Sequence, residues 1–281
     1  HNVIGTNVGN FLYLNGVLRS LMIDDNTVIQ ANYYNTNYYK PEYVNENFDC
    51  FVIPLADAFR ENFVNELNEL TSFVKKLKIP CYVIGVGLKE SYEPDFSQSK
   101  PQDEAVKKFV TAVLEKSNCI GVRGELTGKY LETLGFAEGR DFMVIGCPSM
   151  YMKGKRLHIQ NPKLDVNSKV CFNSNVAASV PTRKFIKLKM KEFDNHYFIV
   201  QVVNELRSIY LGAPYEYKIE YNFRNVTDKI YQDGRLRFFC NVPKWMEFLN
   251  DSDLTFGSRL HGNIAAVLAG TQALLVTKDS R

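Results

Sequence analysis

The feature that most constrains the fold of this chain is an alternation of short apolar runs with segments of helical periodicity. The runs at 81–86 and 142–145 are typical of buried strands, and the pattern returns at 170–172 and 253–256. Segments such as 56–78 carry apolar residues at steps of three and four, which predicts amphipathic helices. Apolar strands separated by helices indicate parallel sheets covered on both faces, so we expect an α/β protein.

A polar stretch at 153–168 interrupts this alternation, and we interpret it as a linker. It predicts two Rossmann-like domains, one over 1–155 and one over 165–281. A chain of 281 residues is long enough for two such domains, each with its own core. Paired α/β domains bind ligands in the cleft between them, at the carboxyl ends of strands. We therefore expect functional residues where strands end.

Composition narrows the class of protein further. The 34 basic and 31 acidic residues give a net charge of +3, which is too balanced for nucleic acid to be the main partner. None of the six cysteines lies in a zinc-ligand spacing, which predicts reduced, buried thiols and no metal site. No apolar run reaches the roughly 18–20 residues of a membrane span, and no signal peptide is visible. We therefore expect a cytoplasmic protein.

The stretch GSRLHGNIAAVLAG at 257–270 carries the strongest sign of chemistry. Arg259 and His261 follow an apolar run that ends at Phe256, and they precede the apolar, helix-compatible segment 264–269. The N-terminus of a helix supplies free backbone N–H groups and a partial positive charge, and an arginine adds a bidentate fork. A histidine can move a proton near neutral pH. The pattern predicts a site for a substrate with phosphate or carboxylate groups.

Three further segments place glycine or charged residues at predicted turns. In the turn Asn7-Val8-Gly9-Asn10 the asparagines fit turn and cap roles, while Gly9 would let a ligand approach the backbone. The glycine turn Gly85-Val86-Gly87 closes a strand. Arg123 ends another strand, where it either binds an anion or forms a salt bridge, with Glu125 as a candidate partner.

In their order along the chain, these segments resemble the polysaccharide pyruvyl transferase family. The resemblance is greatest at 257–276, where the family has Arg-Leu-His followed by an apolar helix and a strand. It extends to the Asn-x-Gly-Asn turn, the glycine turn and the segment 122–127. Gly146-Cys147-Pro148-Ser149 lies where many members have Gly-Asp-Pro. Gly124 and Cys147 replace frequent aspartates of the family, so we assign no catalytic carboxylate to those two positions.

The resemblance implies a GT-B-like fold, in which two Rossmann-like domains present parallel sheets to an interdomain cleft. It implies a phosphoenolpyruvate-dependent transferase that forms a pyruvate ketal on a sugar of a cell-surface or exopolysaccharide precursor. The acceptor side and Arg123 would lie in the N-terminal domain, and the donor site in the C-terminal domain. Family chains usually continue past a segment like 278–281, so further residues of the second domain are expected.

The site residues follow from the resemblance and from the anion-site argument together. The catalytic candidates are His261 as general acid/base, Arg259 as the holder of negative charge, and Glu125 as a second proton carrier. Eight residues are predicted to bind substrate: Asn7, Gly9, Asn10, Gly87, Arg123, Ser258, Gly262 and Asn263. No metal and no cofactor are expected, because phosphoenolpyruvate is the donor substrate.

Two alternatives remain open at this stage. The first is a nucleotide-sugar glycosyltransferase of the same architecture, in which the helix start would hold a diphosphate. The second is a non-catalytic glycan- or anion-binding protein, which the substitutions at Gly124 and Cys147 and the short C-terminus keep open. The expected partners are phosphoenolpyruvate and a sugar or lipid-linked glycan. A lipid-linked acceptor would bring peripheral association with the inner face of the membrane.

Overall fold

The computed structural model describes residues 7–29, 39–91, 93–155, 157–175, 178–212 and 226–277. These residues form two compact units, divided by their contacts. The N-terminal unit comprises the described residues of 17–148. The C-terminal unit comprises 7–16 together with the described residues of 149–277. Each unit contains one parallel sheet, which confirms the predicted α/β class with two parallel sheets.

The sheet of the N-terminal unit has four parallel strands in the order β1-β2-β3-β4. The strands are β1 (Phe51–Pro54), β2 (Cys81–Val86), β3 (Ile120–Val122) and β4 (Phe142–Val144). Its helices are α2 (Pro41–Asn47), α3 (Val64–Lys75), α4 (Asp103–Leu114) and α5 (Glu125–Thr133), while α1 (Asn10–Leu21) contains the division between the units. The inward faces of α3 and α4 are buried against the sheet in one apolar cluster.

The predicted helix over 56–78 is shorter in the structure. Phe59 forms a bridge with Leu88, and Arg60 is extended at φ −159° and ψ 154°. A short 3₁₀ turn at Glu61–Phe63 follows, and only then does α3 begin. Phe59 is buried, but as part of a strand-like connection rather than a helix face. The apolar spacing at 56–78 reflects burial, and it is the same in the extended segment around Phe59 and in the helix α3.

The C-terminal unit has a five-stranded parallel sheet in the order β7-β6-β5-β8-β9. Its strands are β5 (Val170–Asn173), β6 (His196–Val200), β7 (Leu236–Phe238), β8 (Leu254–Gly257) and β9 (Gln272–Leu275). Its helices are α6 (Val180–Met190), α7 (Val203–Leu211), α8 (Lys229–Gln232), α9 (Val242–Asn250) and α10 (Leu260–Ala269). Separate apolar clusters bury the two faces of this sheet. The order reverses between β5 and β8, as in Rossmann-like sheets.

Residues 7–16 were predicted to lie in the N-terminal domain (1–155), but they pack with the C-terminal unit. Val8 and Leu12 are buried in the same apolar cluster as Trp245, Ala265 and Ala266 of the C-terminal unit. Residues 7–16 therefore belong to the C-terminal unit by their packing, although they lie near the start of the sequence. The strand expected at 3–5 lies outside the described residues.

The predicted linker lacks regular secondary structure in its described residues, but it is hydrogen-bonded to the C-terminal unit. Among the described residues of 157–169 there is no helix or strand. The Gln160 backbone N–H nevertheless donates to the Gly270 carbonyl at 2.8 Å, and Asn161 accepts from the side-chain amide of Gln272. No helix in the described part of the chain is long and apolar enough to cross a membrane.

Candidate active site

Polar residues follow three adjacent strands of the C-terminal unit at the same edge of its sheet. Asn173 ends β5 and is followed by Ser174, Gln201 follows β6, and Ser258 and Arg259 follow β8. Because the strands are parallel, their carboxyl ends meet at one edge. All five residues are buried. We call these five residues, together with the first turn of α10, the carboxyl edge of the C-terminal sheet.

Arg259 is held by three groups from other segments. Its backbone N–H donates to Asn173 Oδ1 at 2.8 Å, its Nε donates to the Ser174 carbonyl at 3.0 Å, and its Nη2 pairs with Glu205 Oε1. Its side chain is 6% exposed and that of Glu205 is fully buried. Burial lowers the pKa of Arg259 to about 9, so the guanidinium remains charged at neutral pH. Glu205 already compensates the charge that was predicted to hold the substrate.

His261 lies in the first turn of α10, for which no side chain provides an N-cap. Its ring centroid lies 6.0 Å from that of Tyr13. A Cβ added to Gly9 would lie 2.9 Å from His261 Cβ, so glycine is what allows this approach. The Gly9 N–H donates to Asn7 Oδ1 at 2.9 Å, and the neighbouring Val8 N–H donates to the Gln201 carbonyl at 2.9 Å. The turn that contains Asn7, Gly9 and Asn10 thus packs beside His261.

The remaining predicted residues of this region have structural contacts of their own. Ser258 Oγ accepts from the Asn175 N–H at 2.9 Å. The side-chain amide of Asn263 donates to the carbonyls of Gly257 and Arg259 at 3.1 and 3.0 Å. A Cβ on Gly262 would overlap the side-chain amide of Gln201. These contacts fix the loop between β8 and α10.

Three buried polar atoms at this edge have no hydrogen-bond partner among the described residues. They are Ser174 Oγ, Gln201 Nε2 and Asn263 Oδ1. A buried polar group without a partner is costly, and such groups cluster where a ligand or water completes the hydrogen bonds. Asn173, Ser174, Gln201 and Glu205 were not predicted from the sequence as site residues. The available signal was a polar residue within or directly after an apolar strand run, as at Gln201.

In the N-terminal unit, Arg123 occupies a similar place at the carboxyl ends of the strands. Its Nε donates to the Gly85 carbonyl at 3.1 Å and its Nη2 to the Leu55 carbonyl at 3.2 Å. Nη1 lies 3.8 Å from Asp57 Oδ1, and the Arg123 side chain is 14% exposed. The salt-bridge reading of Arg123 is therefore realised with Asp57 rather than with Glu125. Only a small part of the Arg123 side chain remains open to solvent.

Two other predicted site residues lie near Arg123: Glu125 is close to it in sequence, and Gly87 is close to it in space. Glu125 is exposed in the first turn of α5, where a carboxylate interacts favourably with the helix N-terminus. Gly87 is buried, and a Cβ there would lie 3.4 Å from the Ala56 carbonyl and 3.6 Å from Arg123 Cβ. Gly85 has φ +75°, and a Cβ there would meet Pro148 at 2.6 Å, so this turn requires glycine.

The described residues contain no group of three His, Cys, Asp or Glu side chains that could hold a metal ion. All six cysteines are free thiols. Burial raises the pKa of Cys81 to about 12 and that of Cys171 to about 11. These two thiols stay protonated at neutral pH and behave as small apolar core residues.

Comparison with known proteins places the chain in a family. No curated protein sequence matches it significantly. A solved structure described as the glycotransferase of kitacinnamycin aligns over 81% of this chain and 80% of its own, with 10% identity and a TM-score of 0.32. An overlay of this quality transfers neither a fold nor a function. In contrast, the sequence model described as "Polysaccharide pyruvyl transferase" matches residues 7–280, and the chain therefore belongs to the polysaccharide pyruvyl transferase family.

Proposed function

We propose that this protein transfers the pyruvyl group of phosphoenolpyruvate to a sugar of a polysaccharide precursor and forms a ketal. The observation that carries the proposal is the carboxyl edge of the C-terminal sheet. There, a histidine lies in the first turn of a helix, beside buried polar groups, and among the described residues neither the helix N-terminus has a side-chain cap nor Ser174 Oγ, Gln201 Nε2 and Asn263 Oδ1 a hydrogen-bond partner. Membership of a transferase family that modifies polysaccharides supports a glycan acceptor.

The donor fits the chemistry of this edge. Phosphoenolpyruvate carries a carboxylate and a phosphate, and the uncapped N-terminus of α10 provides N–H donors and a partial positive charge for one of them. Gln201 Nε2 is a further donor that has no partner among the described residues. We assign Arg259 chiefly to positioning, since it fixes the loop after β5 and is neutralised by Glu205.

The reaction requires proton movement at two stages. Protonation of the methylene carbon of phosphoenolpyruvate makes its central carbon electrophilic, and a sugar hydroxyl attacks that carbon and loses its proton. Phosphate then leaves with the electrons of the C–O bond, and a second hydroxyl closes the ketal with loss of another proton. His261 is our candidate for this general acid/base work. Glu125 remains the second candidate proton carrier, and Arg123 the candidate anion holder of the N-terminal unit.

Phosphate release from phosphoenolpyruvate in the presence of candidate acceptor glycans tests the proposal. His261→Ala is expected to lower the rate by about 100-fold or more, because general acid/base catalysis contributes factors of that size. His158→Ala is the matched control, since His158 is an exposed histidine of the same unit. Glu125→Gln tests the second proton carrier in the same assay. An unchanged rate in the His261 variant would remove that residue from the mechanism.

The strand order of the C-terminal sheet favours one second candidate, a nucleotide-sugar glycosyltransferase. Sheets of this order bind nucleotide diphosphates at the point where the order reverses, between β5 and β8 here. Thermal-shift measurements separate the two functions. Stabilisation by phosphoenolpyruvate but not by nucleotide sugars supports the pyruvyl transferase, and the opposite result supports the glycosyltransferase. Binding of phosphoenolpyruvate without release of its phosphate in the presence of any tested glycan would support the non-catalytic alternative.

A further inference from the structure

The helix α6 carries apolar and basic side chains on the same exposed face. Val180, Phe185 and Leu188 are 52%, 44% and 58% exposed, although they are apolar. Lys184, Lys187 and Lys191 are exposed on the same side of the helix. We call these six residues the α6 outer face. Val180, Lys184 and Leu188 follow one another at intervals of four, so they form one row along the helix.

The opposite face of α6 already packs against the C-terminal sheet. Ile186 and Met190 are buried in the apolar cluster on that side of the sheet. Arg183 is also buried, and its Nε donates to the Ala178 carbonyl at 3.2 Å. The position of the helix is therefore fixed by its inner face. Among the outer apolar residues, Phe185 also contacts the Phe256 ring of β8 at 5.9 Å. The exposure of Val180 and Leu188 is the part that packing of α6 on the sheet does not explain.

The charge of this segment is one-sided. Residues 178–191 contain five basic residues and no acidic one, whereas the whole chain has a net charge of +3. Lys189 is engaged locally, because its Nζ lies 2.8 Å from Glu192 Oε1 and 5.8 Å from the ring centroid of Phe185. The three exposed lysines of the outer face place positive charge around its exposed apolar side chains.

We propose that the α6 outer face docks the C-terminal unit onto an anionic lipid surface. Lysine ammonium groups bind lipid phosphates, and apolar side chains between them enter the boundary between headgroups and acyl chains. A soluble polyanion would use the lysines but would have no use for Val180 and Leu188. The combination of both kinds of side chain on one face is what favours lipid. This docking does not depend on the reaction proposed above.

Co-sedimentation with vesicles tests the docking. The full chain is expected to bind vesicles of phosphatidylcholine with phosphatidylglycerol and to bind phosphatidylcholine alone far more weakly. Added salt should weaken the binding, because it screens the lysines. Each lysine neutralised in Lys184→Gln and Lys191→Gln is expected to weaken binding by about fivefold. Lys107→Gln/Lys108→Gln, on the exposed side of α4, is the matched control and should bind like the parent chain.

The apolar half of the face is tested by Val180→Ser/Leu188→Ser. This variant leaves every lysine in place and spares Phe185, which contacts the Phe256 ring at 5.9 Å. It is expected to lose most vesicle binding but to keep its retention on a heparin column. Thermal unfolding of each variant confirms that the fold is retained. Vesicle binding that survives both the lysine and the apolar variants, or a parent chain that does not bind anionic vesicles, overturns the proposal.

Discussion

Each of the two parallel sheets carries an arginine at its carboxyl edge, and the two arginines differ in how completely they are enclosed. Arg259 is 6% exposed and pairs with Glu205, which is fully buried. The Arg123 side chain is 14% exposed, and its Nη1 lies 3.8 Å from Oδ1 of Asp57, whose side chain is 21% exposed. Both guanidinium groups donate to main-chain carbonyls of neighbouring strand ends.

The difference in burial and ion pairing indicates that the two arginines have different roles. A buried and closely paired guanidinium has little capacity left for a ligand, and it contributes by fixing the segments it joins. An arginine paired at 3.8 Å with a partly exposed carboxylate is less fully enclosed, and it retains more electrostatic capacity for an anion. The arginine of the Arg-Leu-His segment is thus the more structural of the two, although its sequence context is the more distinctive.

The largest effect is expected from breaking the enclosed pair. Glu205→Gln leaves the charge of Arg259 buried without compensation, which should lower the free energy of unfolding by about 3–5 kcal/mol. Urea unfolding measures this change. Asp233→Asn breaks the exposed pair between Lys229 and Asp233 and should have little effect, because exposed ion pairs contribute little.

A double replacement makes this first comparison sharper. Glu205→Leu/Arg259→Met removes both charges together and should recover much of the lost stability, since no buried charge remains. A single Glu205→Gln variant as stable as the parent chain would contradict the structural role of the pair.

The second test compares glycines at the two edges. A Cβ on Gly257 would overlap the main-chain carbonyl of Asn173, whereas a Cβ on Gly87 would make only ordinary contacts of 3.4 Å or more. Gly257→Ala should therefore lower the free energy of unfolding by about 1–3 kcal/mol, and Gly87→Ala should change it little. Thermal and urea unfolding measure both. If Gly87→Ala keeps its stability but loses phosphate release, a ligand approaches the main chain at Gly87. Equal destabilisation by the two variants would contradict the difference in space around Gly257 and Gly87.

The third test removes the more open arginine. Arg123→Ala loses the hydrogen bonds to the carbonyls of Gly85 and Leu55, and we expect a loss of about 1–3 kcal/mol in the free energy of unfolding. Arg123→Lys keeps the positive charge but cannot reach two carbonyls with one planar fork. If Arg123 holds the donor, Arg123→Lys raises KM for phosphoenolpyruvate more than it lowers kcat. An unchanged KM in that variant would assign Arg123 to structure alone.

At neutral pH the smallest effect is expected from one buried thiol of each sheet, because these thiols change the pH dependence of stability only above about pH 9. The pKa values of Cys81 and Cys171 are raised from 9.0 to about 12 and about 11. Above pH 9 the unfolded chain loses these protons while the folded chain keeps them, so stability falls as pH rises. Each thiol should contribute a slope of about 1.4 kcal/mol per pH unit between pH 9 and its folded pKa. Urea unfolding of Cys81→Ala and Cys171→Ala should show shallower slopes; the exposed Cys240→Ala is the control, and unchanged slopes would contradict the assignment.

The sequence predicted local structure well where one physical signal dominates. The apolar run at 81–86 became β2, and the helix expected after Arg259 became α10, with Gly270 in the left-handed conformation at its end. Such elements depend on residues close together in the chain. The prediction of a helix over 56–78 was wrong around Phe59, because that residue forms a β-bridge with Leu88, which is remote in sequence.

The site was only partly predictable, because its partners are remote in sequence. Arg259 and His261 carry a local signal, but nothing near them points to Glu205 as the counter-charge or to Gly9 as the neighbour of His261. Both contacts arise from the strand order, which brings the ends of β5, β6 and β8 together. A single sequence does not encode that order in any short pattern.

The turn at 7–10 has a consequence for how the molecule is made. Val8 of this turn and the following Leu12 are buried against Trp245, Ala265 and Ala266, which are synthesised more than 200 residues later. Until those residues have been made, Val8 and Leu12 have no apolar surface of this cluster to pack against. The C-terminal unit is therefore completed only after both segments have been synthesised, and closure of such a long loop is slow. The neighbourhood of His261 forms only when these two distant segments meet.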